Sequence, residues 1–374
     1  MKFDIDKIVF RPGDVDLSFS PLRKNIDVET YVLGAFNPGM TRLPNGNLLI
    51  MVRVAEALKE PVVDKYIQTI RWTPDGYTLD RYPINRVNTD DPRKFSLKEY
   101  LPTNVLALTS LSWLLPVELS ADGLEVINIH YKQIIGPDRT SQEYGIEDAR
   151  ISFIEGKYYM TTCTVSSERH ATSLYISSDG LHYNFAGIIL DHQNKDMLIF
   201  EGKIADKYYA LTRPLGGLYF TPPAGSGLYA GPSINLASSP DLYHWKPTDE
   251  TFIRSHKGTQ SSKKIGGGTP PILTEKGWLM LFHGVEDKDE VGIYRTFWAM
   301  LNRDNPHQII KIEDVEPLLE SHDELTNDLK ESIYLTDVVF TTGIADAKNH
   351  FVVASGELDL ACRITHIPKP VFKL

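Results

Sequence analysis

Five stretches of the chain share one pattern, a short turn of Gly, Asn or Lys followed by a run rich in β-branched and aromatic residues. They are NGNLLIMVRV (45–54), EGKYYMTTCTV (155–165), ADKYYALTRP (205–214), EKGWLMLFHGV (275–285) and AKNHFVVASGEL (347–358). Runs of this kind bounded by turn residues read as β-strands. A second element follows several of them: SSDGLHYNF (177–185), SSPDLYHWKP (238–247) and NRDNPHQIIKI (302–312), where Asp179, Asp241 and Asp304 are spaced by 62 and 63 residues. Ser, Asp, Gly and Pro between strands supply hairpin turns. A repeating strand–hairpin–strand unit of about 60 residues cannot bury its faces alone and must stack against its copies. The expected fold is therefore all-β, a five-bladed β-propeller over residues 1–374 as a single domain.

The regularity fails within about residues 56–118, near two candidate hairpins, TPDGYTL (73–79) and SADGLEV (120–126), where one is expected. An insertion is the simplest reading, with a short helix near SLKEYL (96–101) and another at SHDELTNDLKES (321–332). Net charge of −10 leaves no basic surface for phosphate backbones, so neither nucleic acid nor an anionic membrane is an expected partner. A neutral or polar small substrate fits better. Aromatic residues make up 10% of the chain, with 18 Tyr, which suits either sugar-stacking platforms or Tyr-rich sheet packing. Two distant cysteines, Cys163 and Cys362, disfavour a disulfide framework and a structural zinc site. The start MKFDIDKIVF lacks the parts of a secretory signal, and no stretch reaches the length of a membrane span. A soluble, cytoplasmic protein is expected, or a periplasmic one if a signal peptide has been removed. Oligomeric state is not readable.

In a propeller the innermost strands line a central channel, where polar side chains converge. Acidic residues at the entry of such a strand need partners to offset desolvation, and a ligand pocket at the axis supplies them. The segment YGIEDARI (144–151) places Glu147, Asp148 and Arg150 at that entry. It resembles the G-x-E-D-P-R-I signature of glycoside hydrolase family 130, the mannoside phosphorylases and related β-mannosidases. FNPG (36–39), LLIMVRV (48–54), NKDMLIFEGKI (194–204), TRP (212–214), SSPDLYHW (238–245), KIGGGTPPI (264–272), GWLMLFHGV (277–285) and DVVFTTG (337–343) agree in order. The resemblance runs from about residue 36 to 343 and implies a five-bladed propeller that cleaves β-mannosidic bonds with inversion. It makes Asp148 the proton donor, working in the phosphorylases through a sugar hydroxyl. Departure of a sugar oxygen needs a proton, and an oxocarbenium-like transition state tolerates a nearby negative charge. Asn37, Arg53 and Asp337 then match residues that bind the sugar, and Arg150 belongs to the same motif. Without the resemblance, Asp148 would be read as a structural partner of Arg150.

What attacks the anomeric carbon decides the reaction class. Phosphate needs a cluster of cations, because a dianion does not share a pocket with carboxylates uncompensated. Water needs a second carboxylate, roughly 6.5–9.5 Å from the acid in inverting enzymes. The chain departs from the phosphorylase pattern: its TRP has Thr212 where the family has histidine, and FEGKI places Glu201 one position back from the expected glutamate. A one-residue move swings a strand side chain to the other face, so Glu201 is expected to enter the channel as general base. Lys203, Arg213 and His283 remain as contacts for hydroxyls or an anion, and Glu147 and Asp196 as reserve carboxylates. The expectation is thus an inverting hydrolase of β-1,2-linked or related mannosides in short oligosaccharides. A phosphorylase with inorganic phosphate as co-substrate is the alternative, and a non-catalytic carbohydrate-binding propeller the second alternative. No cofactor and no metal is expected, since no ligand spacing is convincing and the chemistry requires none.

Overall fold

Where the sequence repeats, the chain forms antiparallel strands, and the repeating runs are the second strands of five groups. The computed structural model describes residues 3–97, 105–215, 223–225 and 228–373. The first group orders Thr30–Arg42, Leu48–Leu58, Ser110–Leu119 and Val126–Ile129 side by side. Gly145–Ile154, Lys157–Val165, His170–Ser177 and Asn184–Leu190 form the second. The third contains Asn194–Ile199, Tyr208–Pro214, Leu228–Ser239 and Lys246–His256. In the fourth, Lys264–Gly267 and Ile272–Thr274 both pair with Gly277–Glu286, followed by Ile293–Leu301 and Ile309–Glu313. The fifth joins Val339–Asp346, His350–Glu357 and Ala361–Pro368 to the N-terminal strand Asp6–Phe10, so the two ends of the chain meet in one sheet. One parallel pair, Ser112 with Gly145, links the first group to the second. The all-β class matches expectation.

Burial follows from this stacking. Leu48–Leu58 is buried at nearly every position, as a strand covered on both faces must be. The Ser/Asp turns at the outer edge earn their spacing through backbone capture: Asp179 Oδ1 accepts from the Leu181 and His182 N–H groups at 2.9 and 2.8 Å, and Asp241 Oδ1 accepts from Tyr243 and His244 at the same distances. Both cysteines are free and buried. Among the described residues no helix is long and apolar enough to cross a membrane.

The insertion is two small sheets between the second and third strands of the first group. One contains Val62–Val63, Tyr66–Thr73 and Gly76–Pro83, and the other Val87–Asn88, Lys94–Leu97 and Val105–Leu108. TPDGYTL is the inserted hairpin, whereas SADGLEV closes the last hairpin of the first group. The helix expected over 96–101 begins in strand, at Ser96 and Leu97, and its remaining residues lie outside those described. The second expected helix is present as a 3-10 helix over Asp323–Ser332.

The first strands of the groups touch one another in turn. Thr342 Oγ1 donates to the Pro38 carbonyl at 2.9 Å, and Ser152 Oγ donates to that of Ile199 at 2.7 Å. A Cβ on Gly39 would lie 2.6 Å from the Ala149 carbonyl oxygen, so only glycine permits this approach of the first and second groups. Three of them, in the first three groups, carry the same irregularity. Between Phe36 and Gly39, Glu147 and Arg150, and Lys195 and Leu198, one strand advances three residues while its partner advances two. The extra residue is a β-bulge, which bends the strand and re-aims a side chain. Asn37, Asp148 and Asp196 occupy the bulges with φ of 48°, 50° and 51°, a left-handed conformation that Asn and Asp tolerate best among residues with a Cβ.

Candidate active site

The three bulges gather their polar side chains into one hub. Asp148 Oδ1 accepts from Asn37 Nδ2 and from an Arg53 terminal nitrogen, each at 3.0 Å. The other terminal nitrogen of Arg53 donates to Glu147 Oε1 at 2.9 Å, and its Nε to Ser112 Oγ at 2.9 Å. Lys195 Nζ holds the second Glu147 oxygen at 2.8 Å. Arg53 and Lys195 keep 16% and 22% of their side-chain surface exposed, so the hub opens to solvent.

Burial pushes the Asp148 carboxyl up, but Arg53 beside it prevails and holds it below the usual carboxylate range. Glu147 is held well down in the same way, by Arg53 and Lys195 against burial. Two adjacent anions survive here because cations neutralise each of them.

Asp196 organises the opposite corner. Arg213 Nε lies 2.8 Å from its Oδ2 without aiming its N–H at that oxygen, and an Arg150 terminal nitrogen lies 3.8 Å from Oδ1. Arg150 is otherwise a buried strut, donating from Nε to the Gly268 carbonyl at 2.6 Å and from a terminal nitrogen to the Asp148 carbonyl at 2.9 Å. His283 is buried with Nε2 at 4.0 Å from Asp196, and neither ring nitrogen makes a hydrogen bond of good geometry. Burial and the neighbouring Arg213, Lys264 and Arg150 keep it neutral. A Cβ on Gly266 would fall 2.6 Å from the His283 ring and 2.8 Å from Arg213, so the glycine run exists to let these two groups in. Lys264 completes the corner: burial and the nearby Arg213, Arg93 and Lys195 push its ammonium down to about 7.

Of the expected residues, Asp148, Asn37, Arg53, Arg150, Arg213 and His283 come together. Lys203 does not; it is exposed and pairs with Glu155 at 3.4 Å. Asp337 pairs with Lys288 at 2.7 Å on the surface, with 44% of its side chain exposed. Glu201 corrects the hydrolase expectation most directly. Its Oε1 accepts from the Phe153 N–H at 3.1 Å, five residues beyond Asp148 on the same strand, which is about 16 Å along a β-strand. The alternation argument failed because Glu201 follows the end of strand Asn194–Ile199, where the chain is turning and strand faces no longer apply.

Lys195, Lys264, Arg93 and Asp359 were not anticipated as site residues. Asp359 lies in a left-handed turn with φ of 50°, close to Arg53, Arg93, Asp148 and Lys264, and burial raises its carboxyl pKa despite those cations. One signal was available. Arg53, Arg213 and His283 stand opposite Phe36, Lys195 and Gly266, the same register position in three of the repeated second strands.

The family model described as beta-1,4-mannooligosaccharide phosphorylase matches residues 109–373. A beta-1,2-mannobiose phosphorylase of Listeria innocua is 30% identical over 346 residues, covering 87% of this chain and 87% of that protein. A 1,2-beta-oligomannan phosphorylase of Thermoanaerobacter sp. is 29% identical over 244 residues, 64% of this chain and 74% of the relative. The structure of the Listeria innocua enzyme with beta-1,2-mannobiose superposes with a TM-score of 0.79 at 27% identity, over 97% of this chain and 96% of that one. Fold, site and likeness together define an enzyme that cleaves glycosidic bonds, as a glycosidase or a glycoside phosphorylase. More narrowly, the chain belongs to glycoside hydrolase family 130.

Proposed function

We propose that this enzyme is an inverting mannosyl phosphorylase acting on β-1,2-mannobiose or short β-1,2-mannooligosaccharides, and that its five strand groups are the blades of a β-propeller around the hub. One observation carries the reaction class: around Asp196 a single carboxylate faces Arg150, Arg213 and Lys264, with neutral His283 beside them. Cations in excess of carboxylates hold a dianion, and a general base for water gains nothing from them. The hydrolase reading loses its base with Glu201, and Glu147 is already bound by Arg53 and Lys195. The β-1,2 linkage is inferred from the relatives, which are phosphorylases of β-1,2-mannosides.

In the mechanism, a phosphate oxygen attacks C1 of the mannosyl unit from the side opposite the leaving sugar. The C1–O bond breaks, its electron pair stays on the departing oxygen, and that oxygen receives, through a mannose hydroxyl, a proton from Asp148, which the free enzyme holds ionised and which takes up this proton when the phosphate dianion enters the site. Mannose α-1-phosphate and the shortened sugar are the products. Asn37 and Arg53 orient Asp148, and Asp359 is placed to accept from a mannose hydroxyl. Initial rates on β-1,2-mannobiose in phosphate-free and phosphate-containing buffer test the class. Turnover is expected only with phosphate, and an equal rate without it would reject phosphorolysis.

A further inference from the structure

Arg93 reaches the hub from the inserted sheets rather than from a repeated strand. It lies on the segment between Val87–Asn88 and Lys94–Leu97, yet its guanidinium comes close enough to Tyr294 in the fourth group, and to Asp359, for their charges to be felt. Lys264 Nζ lies 4.8 Å from the centroid of the Tyr294 ring, which stacks with His283 at 5.9 Å. The insertion in the first group therefore spans the hub to its far side.

Its segment is held in shape. Asp91 Oδ1 accepts from the Arg93 backbone N–H and from Arg93 Nε, both at 3.0 Å, while Oδ2 accepts from a terminal nitrogen at 2.9 Å. Thr109 ties the segment down, its N–H donating to the Arg93 carbonyl at 3.3 Å and its hydroxyl to that of Pro92 at 3.0 Å. The bidentate pair neutralises Arg93, which separates it from the uncompensated cations near Asp196. A dianion prefers the latter. A neutral pair that keeps 28% of the arginine side chain exposed instead offers donors and acceptors side by side, the pattern that sugar hydroxyls satisfy.

We propose that Asp91 and Arg93 form the binding site for the leaving-group sugar, with the insertion as the wall that holds its hydroxyls. The assignment rests on the hub being the site of mannosyl transfer, as proposed above. It is tested with Arg93→Ala and Arg93→Lys, comparing β-1,2-mannobiose with an aryl β-mannoside, whose leaving group has no sugar hydroxyls. In both variants kcat/KM on mannobiose should fall at least tenfold further than on the aryl mannoside. In the synthetic direction KM for acceptor mannose should rise about tenfold while KM for mannose 1-phosphate moves less than twofold. Parallel losses on both donors, a rise confined to KM for phosphate or mannose 1-phosphate, or wild-type kinetics in either variant would overturn the assignment. Should the wild type turn over without phosphate, phosphorolysis fails but the donor comparison, run as hydrolysis, still decides the role of Arg93.

Discussion

Lys264 offers a quantitative handle on the anion site. Burial and the cations Arg213, Arg93 and Lys195 bring its ammonium from the ordinary 10.5 down to about 7, so near neutrality the free enzyme holds it half protonated. The shift amounts to about 5 kcal/mol of disfavoured charge, an upper bound because part of the side chain meets solvent. A bound dianion at Arg213 and Asp196 reverses the balance and returns the proton. Binding is then linked to proton uptake, and raising the pH weakens it. With a free-state value of about 7 and the ordinary 10.5 restored on binding, affinity should fall roughly 50-fold between pH 7 and pH 9. Among the described residues near the site, His283 and His170 are held below the usual histidine range, and burial pushes the Cys163 thiol up to about 12, so these groups keep their charge through that window. Sulfate, a dianion throughout, is the suitable probe, and titration calorimetry the assay. Lys264→Arg keeps its charge at high pH and should bind sulfate about equally at pH 7 and pH 9. Lys264→Met should bind weakly and without the slope. A flat profile in the wild type, or an undiminished slope in Lys264→Met, would refute the reasoning.

Other outcomes follow from the same geometry. Asp148→Asn should lower kcat by about 10²–10⁴-fold while leaving sugar affinity within a few-fold, measured by steady-state kinetics and calorimetry. Because Arg53 holds the Asp148 carboxyl down and bound phosphate pushes it up, the alkaline limb of kcat should lie at higher pH than that of kcat/KM. Glu201 is the reverse case, a carboxyl that burial raises to about 7, above its unfolded value. Its neutral form therefore favours the folded state, and stability is lost as pH rises from the unfolded carboxylate range through about 7. Glu201→Gln keeps an acceptor for the Phe153 N–H and should gain about 1–2 kcal/mol at pH 8 in chemical denaturation, with turnover within twofold of wild type. A loss of turnover by orders of magnitude would return Glu201 to the mechanism.

Sequence periodicity carried the strand groups because the second strands are buried on both faces and must be apolar from end to end. Asp148, Asn37, Arg53, Arg213 and His283 came instead from the family resemblance, without which periodicity alone would have left Asp148 a structural partner of Arg150. The bulges were not legible: a left-handed Asn or Asp inside a strand leaves no mark in hydrophobic alternation, and nothing in NKDML announces that Asp196 turns inward. Arg93 was hidden for another reason, since it sits outside every repeat and reaches the hub only by the path of the insertion. Asp337 and Asp359 show the same limit from the other side. Both are left-handed aspartates, at φ of 58° and 50°, and only three-dimensional placement puts the second near Arg53 and leaves the first beside Lys288.

Phosphorus NMR of β-1,2-mannobiose incubated with enzyme and inorganic phosphate addresses the central claim without intermediaries. A mannosyl phosphate resonance with α-anomeric coupling, growing in step with free mannose, is the predicted result. Two mannose molecules per cleaved bond, with the phosphate signal unchanged, would contradict it.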